Sequence, residues 1–466
     1  MNLTINKDNR LERELTKIVG KNNILSEIEQ RYCYSFDATN ASESSGIADI
    51  VVFPKSTAEV SEIVKFAKKN KIPLIPRCAA TNHVGGCIPK NGGIVMSFAK
   101  MNKILEINKE NMYCKVEPGV VIADLKDAVE NEGLFYPPDP SNYAVSMIGG
   151  SIALSSGGPT SFKYGTTKDY VIDLEVVLAD GSVINTGSPC AKNVTGYNLT
   201  QLFVGSEGTL GIVTQATIKL IPRPESKRVL LAYFDSLEQA SDAVKSVISN
   251  LITPSVIDLM DKNTLCTIER FYPSGLLTDK EAALLLEIDG FKDNIETQYN
   301  NIIYMCKDAG ASFIQTAQNK EEAERIWTAR RASFGATAKL APTVVTEDVV
   351  VPRENISKLI MGIQNICKKY SLKVCIMGHI GDGNIHPNIA LDINNKIELL
   401  NYKCAKKEIY ELTVSLNGML SGEHGIGTEK SDYLSMVLSS KAILCMKQIK
   451  NLFDPDNILN PGKIFK

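Results

Sequence analysis

Pro222-Arg223-Pro224 splits this 466-residue chain into two stretches of different grain, and no strand or helix can run through it. Each proline fixes φ and lacks an N–H, so the pair stops a ladder and a helix alike. Upstream, short strands alternate with loops of small residues. A helix over 10–19 opens the chain, with Leu11, Leu15, Ile18 and Val19 on one face and Gly20 as its stop. Asp49 to Phe53 predicts a strand. Ser56-Thr57-Ala58-Glu59 predicts a capping box and a helix to about Lys69, and Ile72 to Pro76 the next strand. Asp180-Gly181 predicts a hairpin turn, and a strand from Val213 to Leu220 leads into the prolines. Downstream, strands at 228–233, 254–260, 282–288 and 312–316 alternate with helices at 236–249, 294–308, 321–339 and 353–370. That alternation predicts an α+β domain with helices on one side of a sheet.

The length allows more than one domain. A net charge of −2 makes no case for nucleic acid or an anionic membrane surface. No apolar run approaches the length of a membrane span, and residues 1–10 lack the apolar core of a secretory signal, so a cytoplasmic location is expected. The 11 cysteines are scattered and form no Cys-x-x-Cys pair. This argues against a disulfide framework, a zinc ribbon or an iron–sulfur cluster, and most are expected to be small buried residues. Redox chemistry here needs another cofactor.

The chain has 4 histidines, and three lie in two glycine-rich patches, Gly378-His379-Ile380-Gly381-Asp382-Gly383-Asn384-Ile385-His386-Pro387-Asn388 and Gly422-Glu423-His424-Gly425-Ile426-Gly427. Asp382-Gly383 suits a two-residue hairpin turn, which would set His379 opposite His386 on one face, with Asn388 beside them. Two imidazoles and the Glu423 carboxylate would suit a divalent metal with positions left open, whether zinc, iron or manganese. An ordinary hairpin with core histidines is the other reading.

Three loops upstream are rich in small residues: 76–86, 146–159 and 204–213. Their amides can come close to a ligand and form an anion-binding nest, so a pyrophosphate cofactor is a natural occupant, although turns need glycine anyway. Neither a Gly-x-Gly-x-x-Gly opening a helix nor a Gly-x-x-x-x-Gly-Lys-Ser/Thr occurs, so neither a Rossmann site nor a P-loop is supported.

Several segments are more specific. They are Lys192-Asn193-Val194-Thr195-Gly196-Tyr197, Leu202-Phe203-Val204-Gly205-Ser206-Glu207-Gly208-Thr209-Leu210-Gly211-Ile212 and Leu459-Asn460-Pro461-Gly462-Lys463-Ile464-Phe465. With the loops, they make the chain resemble the FAD-linked oxidases of the vanillyl-alcohol-oxidase type, from about Ile47 to Phe465. Within that family it resembles the branch of the D-lactate dehydrogenases and the D-type subunits of glycolate oxidase. The resemblance implies a two-part FAD-binding domain with an inserted α+β cap: 1–224, a cap at 225–420, and 421–466 returning to the first part. It implies noncovalent FAD contacts from Pro76, Arg77, Ala79, Ala80, Thr81, Asn82, Gly85 and Gly86, then from Pro138, Asp139, Ser146, Ile148, Gly149, Gly150, Ser155, Gly157, Gly158 and Tyr164. Glu207, Gly211, Ile212, Val213 and Asn460 complete the set. Cys78 and Ala80 stand where the family usually has glycine, and Asn198 where it has aspartate. His83 raises a covalent flavin link, against the plainer reading of a loop residue.

By the same likeness, His379, His386 and Glu423 hold one divalent metal and His424 is the catalytic base. Trp327-Thr328-Ala329-Arg330 resembles the segment that supplies an arginine for the substrate carboxylate, with Arg331 as the alternative. The implied reaction is oxidation of a D-2-hydroxy acid, D-lactate foremost. Its electrons would pass to the two subunits of an electron-transfer flavoprotein, with bifurcation to NAD. The glycolate oxidase type and D-2-hydroxyglutarate dehydrogenase are the alternatives, and a metal-dependent hydrolase without flavin is the reading from another class.

Overall fold

The structure, a computed structural model, describes residues 9–40 and 45–465. Ile50–Val52 and Leu74–Arg77 both run parallel to Ile94–Ser97, and Ile24–Leu25 adds an antiparallel edge. The helix Thr57–Asn70 makes the crossover. It begins at Ser56, whose Oγ accepts the Glu59 N–H at 3.3 Å, while the Glu59 carboxylate accepts the Lys55 N–H at 2.7 Å. Val60, Ile63, Val64 and Ala67 share one face and are buried against this sheet. The far edge of Leu74–Arg77 is closed by the C-terminal segment: the Leu74 N–H donates to Ile458 O, and the Asn460 N–H to Leu74 O, each at 2.7 Å.

A second, antiparallel sheet runs in the order Ile104–Asn108, Tyr113–Val116, Ile212–Lys219, Val171–Val177 and Val183–Asn185. Asp180-Gly181 lies in the turn joining its last two strands, with Gly181 at φ +83°. Ile221–Pro222 pairs with Leu134–Phe135, and there the first unit ends.

The remaining strands form one eight-stranded antiparallel sheet. Val256–Asp261, Lys373–His379, Asn384–Leu391 and Thr343–Thr346 lie side by side in it, and Val349–Val350 also pairs with Asn384–Leu391. Helices cover both faces, not one. In Ser226–Phe234, Leu230, Ala232 and Phe234 pack under Leu237–Ser249, Lys292–Asp308, Ile356–Lys369 and Lys396–Ser415. Val229, Leu231 and Tyr233 face Lys262–Phe271 and Lys320–Thr337. A strand apolar at consecutive positions must be covered twice.

The hairpin register also differs from the expectation. His379 pairs with Asn384 and Met377 with His386, so the loop is 380–383. The His379 carbonyl accepts the N–H groups of Asp382 at 3.2 Å and Gly383 at 3.1 Å, and Gly383 sits at φ +89°. The pairing shifts by two residues, which keeps both imidazoles on one face as diagonal neighbours. The cysteines are a further correction: Cys114, Cys306, Cys367 and Cys375 are buried, Cys33, Cys190, Cys266 and Cys445 are exposed, and all are free. No helix among the described residues is long and apolar enough to cross a membrane.

Candidate active site between the two units

A cavity of about 720 Å³ lies between the first unit and the eight-stranded sheet, within the size range of cofactor sites. The small-residue loops contribute Pro76, Arg77, Ala79, Ala80, Thr81, Asn82, Gly86, Ser146, Gly149, Gly150, Glu207, Gly211, Ile212 and Val213, and the C-terminal segment contributes Asn460. The eight-stranded unit contributes Arg330, Arg331, Phe334, Met377, His386 and Asn388, and the turn after it Glu423 and His424.

Eight of the expected cofactor residues do not line it. Ile148 is core, and Pro138 is buried. Asp139 accepts Lys126 Nζ at 2.6 Å, and the Ser155 hydroxyl pairs with that of Thr166. Tyr164 donates to the Asp289 carboxylate of the other unit at 2.9 Å. Gly85, Gly157 and Gly158 are glycine for close packing: an added Cβ would meet Thr428 Oγ1 at 2.3 Å, Glu423 Oε2 at 2.8 Å and Asp139 O at 2.1 Å respectively. Met147, Pro140, Ser141, Asn142 and Ser156 line the cavity where those residues were expected. Two of the lining residues are already engaged. The Glu207 carboxylate accepts the Ile426 and Gly427 N–H groups at 2.7 and 2.8 Å, and Arg77 donates to Phe36 O at 2.7 Å. Ala80 sits at φ +57°, a conformation that favours glycine and costs an alanine about 1 kcal/mol.

The adjacent strands assemble the polar cluster. Asp258 pairs across the sheet with His379 and is fully buried. Its Oδ1 lies 2.6 Å from His379 Nδ1, and its Oδ2 accepts Arg330 Nε at 2.8 Å. Burial opposes the charge, yet Arg330 and His379 hold the Asp258 carboxyl below its ordinary range. Anchored at Nδ1, His379 presents Nε2 to Glu423, 3.6 Å away. His386 Nε2 lies 3.2 Å from the same carboxylate oxygen, and the two rings are 5.2 Å apart. Asn388 Oδ1 accepts the Thr346 hydroxyl at 2.7 Å.

Asp348, also fully buried, shapes the other half of the site. It accepts Ser421 Oγ at 2.6 Å, the His424 N–H at 3.0 Å and the Gly422 and Glu423 N–H groups. Burial opposes the Asp348 charge, but Lys430, 3.5 Å away as counter-charge, leads the groups that hold its carboxyl well below the usual range. This turn aims Glu423 and His424 inward. The His424 ring stacks on His386 at 5.1 Å and lies 5.2 Å from His83, so all 4 histidines form one chain of contacts. Burial pushes His424 down to about 3, against the opposing pull of Asp348, so its imidazole is neutral near pH 7. Neither Asp258 nor Asp348 sits in a glycine-rich patch, so neither is legible in the sequence; strand register brings in Asp258, and the turn at Ser421 to His424 engages Asp348.

The donor set fits a divalent ion. His379 Nε2, His386 Nε2 and a Glu423 oxygen can all lie within 4.8 Å of one another, and His379 Nε2 is buried without a hydrogen-bond partner. A second grouping, Asp348, His386 and His424, is equally close. Asp348, however, is saturated by the turn amides, which favours the first set. Gly157→Ala should displace the Glu423 carboxylate and weaken binding of a divalent ion about 10- to 100-fold with the fold intact, measured by metal titration beside a circular dichroism control.

Residues 48–187 match the family described as FAD binding domain, and residues 223–464 that described as FAD linked oxidases, C-terminal domain. The chain belongs to the FAD-linked oxidases. Among these oxidases it is 45% identical to the glycolate oxidase subunit GlcD of Bacillus subtilis, covering 99% of this chain and 97% of that protein. It is 36% identical to a D-lactate dehydrogenase of Anaerostipes hadrus, covering 89% of each. It shares its fold with p-cresol methylhydroxylase at a TM-score of 0.79 and 17% identity, over 97% of this chain and 95% of that one. This is the expected two-domain FAD-binding fold with helices and sheets mixed. In this oxidase the cavity suits FAD: its loops are small-sided, and Asn460 Oδ1, buried beside it, has no hydrogen-bond partner.

Proposed function

We propose that the protein oxidises a D-2-hydroxy acid, D-lactate foremost, to the 2-oxo acid. The observation that carries this reading is the convergence of His386, Glu423 and His424 on the cavity bounded by the small-residue loops, with His379 Nε2 behind them 3.6 Å from Glu423. FAD, when bound, supplies the acceptor of a hydride. A divalent ion, when bound by the two imidazoles and Glu423, supplies a Lewis acid.

The chain's own residues do the rest. Asp258 locks the His379 tautomer, and Asp348 fixes the turn that carries Glu423 and His424. Neutral His424 accepts the proton from the substrate hydroxyl. Arg330 is buried; with Nε committed to Asp258 and Nη1 to Met377 and Ser333, it offers the substrate carboxylate its Nη2. Asn388, held by Thr346, is a polar partner on the same strand face. His83 packs on His424 in the wall of the cavity, and the covalent flavin link is not part of this reading.

The reduced enzyme passes its electrons, in our reading, to the two subunits of an electron-transfer flavoprotein, with bifurcation to NAD. The 45% identity to a glycolate oxidase subunit favours a second reading, glycolate oxidation, for which the family likeness implies an iron–sulfur partner. Membership of the FAD-linked oxidases removes the flavin-free hydrolase. Anaerobic mixing with D-lactate, L-lactate, glycolate and D-2-hydroxyglutarate tests the reading. D-lactate should bleach the flavin fastest, faster glycolate would favour the second reading, and no bleaching by any would defeat both. The acceptor is decided by copurification, either with two flavoprotein subunits or with an iron–sulfur protein.

A further inference from the structure

Arg330 and Phe334 lie one turn apart on the helix Lys320–Thr337, and both face the cavity. The Phe334 ring packs against His83 at 6.1 Å, and His83 in turn against His424 at 5.2 Å. Met377, also in the cavity wall, is pinned at its sulfur by Arg330 Nη1 at 3.1 Å and Ser333 Oγ at 2.8 Å. An apolar wall therefore stands beside the base, between it and the helix that carries the guanidinium.

The charges near that wall already have partners. Among the described residues lining the cavity, the arginines and lysines are Arg77, Arg330 and Arg331. Arg77 is held by the Phe36 carbonyl, Arg331 pairs with Glu324, and Arg330 shares its charge with Asp258. One carboxylate can use the Nη2 of Arg330, since Nε and Nη1 are engaged. A second would be desolvated against Phe334 and a neutral His83, whose pKa burial lowers, and an unpaired buried charge is costly.

We propose that Phe334 is the specificity-determining residue, limiting the substituent beside the substrate hydroxyl to small apolar groups. The substrate class is then the short 2-hydroxy monocarboxylic acids, with dicarboxylic ones excluded. This rests on the 2-hydroxy-acid reading above. A methylene in an apolar pocket changes discrimination by about 10- to 200-fold, so the effect is measurable.

The test is anaerobic flavin reduction of the FAD-loaded enzyme and its Phe334→Ala variant by glycolate, D-lactate, D-2-hydroxybutyrate, D-2-hydroxyisocaproate and D-2-hydroxyglutarate. Binding of the matching 2-oxo acids is followed by perturbation of the oxidised flavin spectrum. The wild type should favour the short monocarboxylates, and in Phe334→Ala the ratio of kcat/KM for D-2-hydroxyisocaproate over D-lactate should rise at least about 10-fold. Affinity for the longer oxo acid should rise with it. Phe334→Leu, with an intermediate shift, serves where Phe334→Ala loses FAD. An unchanged ratio, or a wild type that prefers D-2-hydroxyglutarate, overturns the assignment while leaving 2-hydroxy-acid oxidation standing. No reduction by any of the five acids overturns the functional reading, and this assignment with it.

Discussion

His424→Gln should lower the rate of flavin reduction by D-lactate about 10²- to 10⁴-fold, the usual worth of a positioned general base, while FAD stays bound. Glutamine retains a polar side chain on the Asp348-held turn but cannot take the hydroxyl proton. Stopped-flow absorbance of the anaerobic enzyme reads the loss, and a rate within a factor of two of wild type would remove His424 from the chemistry. The same variant has a signature in stability. An unfolded histidine takes its proton near 6.5, whereas buried His424 is pushed down to about 3. Between those values the unfolded chain binds a proton that the folded chain refuses. His424 therefore makes stability fall as pH drops from about 6.5 toward 3, and His424→Gln should flatten that part of a urea-midpoint profile.

Asp258→Ala should be the most damaging change outside the cavity wall. Asp258 is the shared counter-charge of Arg330 and His379, and all three are buried. Removing it leaves a guanidinium uncompensated in the interior, a loss of about 3–5 kcal/mol, visible as a lower urea midpoint at constant slope. It also frees the His379 ring to turn, which for a ligating histidine weakens metal binding about 10- to 100-fold. Asp258→Asn, which keeps an acceptor but loses the charge, should fall between. A wild-type midpoint for Asp258→Ala would show that the pair contributes nothing to the fold.

Much of this arrangement is legible in the sequence, because its signals are local. The capping box at Ser56, the turn at Asp180-Gly181 and the prolines at 222 and 224 act through their own backbones. His379, His386, Glu423 and His424 announce themselves by rarity and by glycine-rich surroundings, and the structure brings them together. The long-range features are not legible. Asp258 looks like any acid in an apolar strand until its register against His379 is known, and Asp348 lies between two short strands with no motif. The helix Lys396–Ser415 escapes notice because its buried face mixes Tyr402, Ala405, Lys406 and Ile409, which blurs the apolar period. Asp-Gly suits several loop lengths, so the sequence leaves the hairpin register open by two residues, and the His379 carbonyl selects the longer loop.

The divalent metal carried per FAD in the purified protein tests the central claim most directly. The account predicts one ion per chain in the wild type and its loss from Glu423→Ala and His386→Ala, with FAD content unchanged in both. Equal metal in the wild type and the two variants, or full flavin reduction by D-lactate after a chelator has stripped every divalent ion, would contradict it.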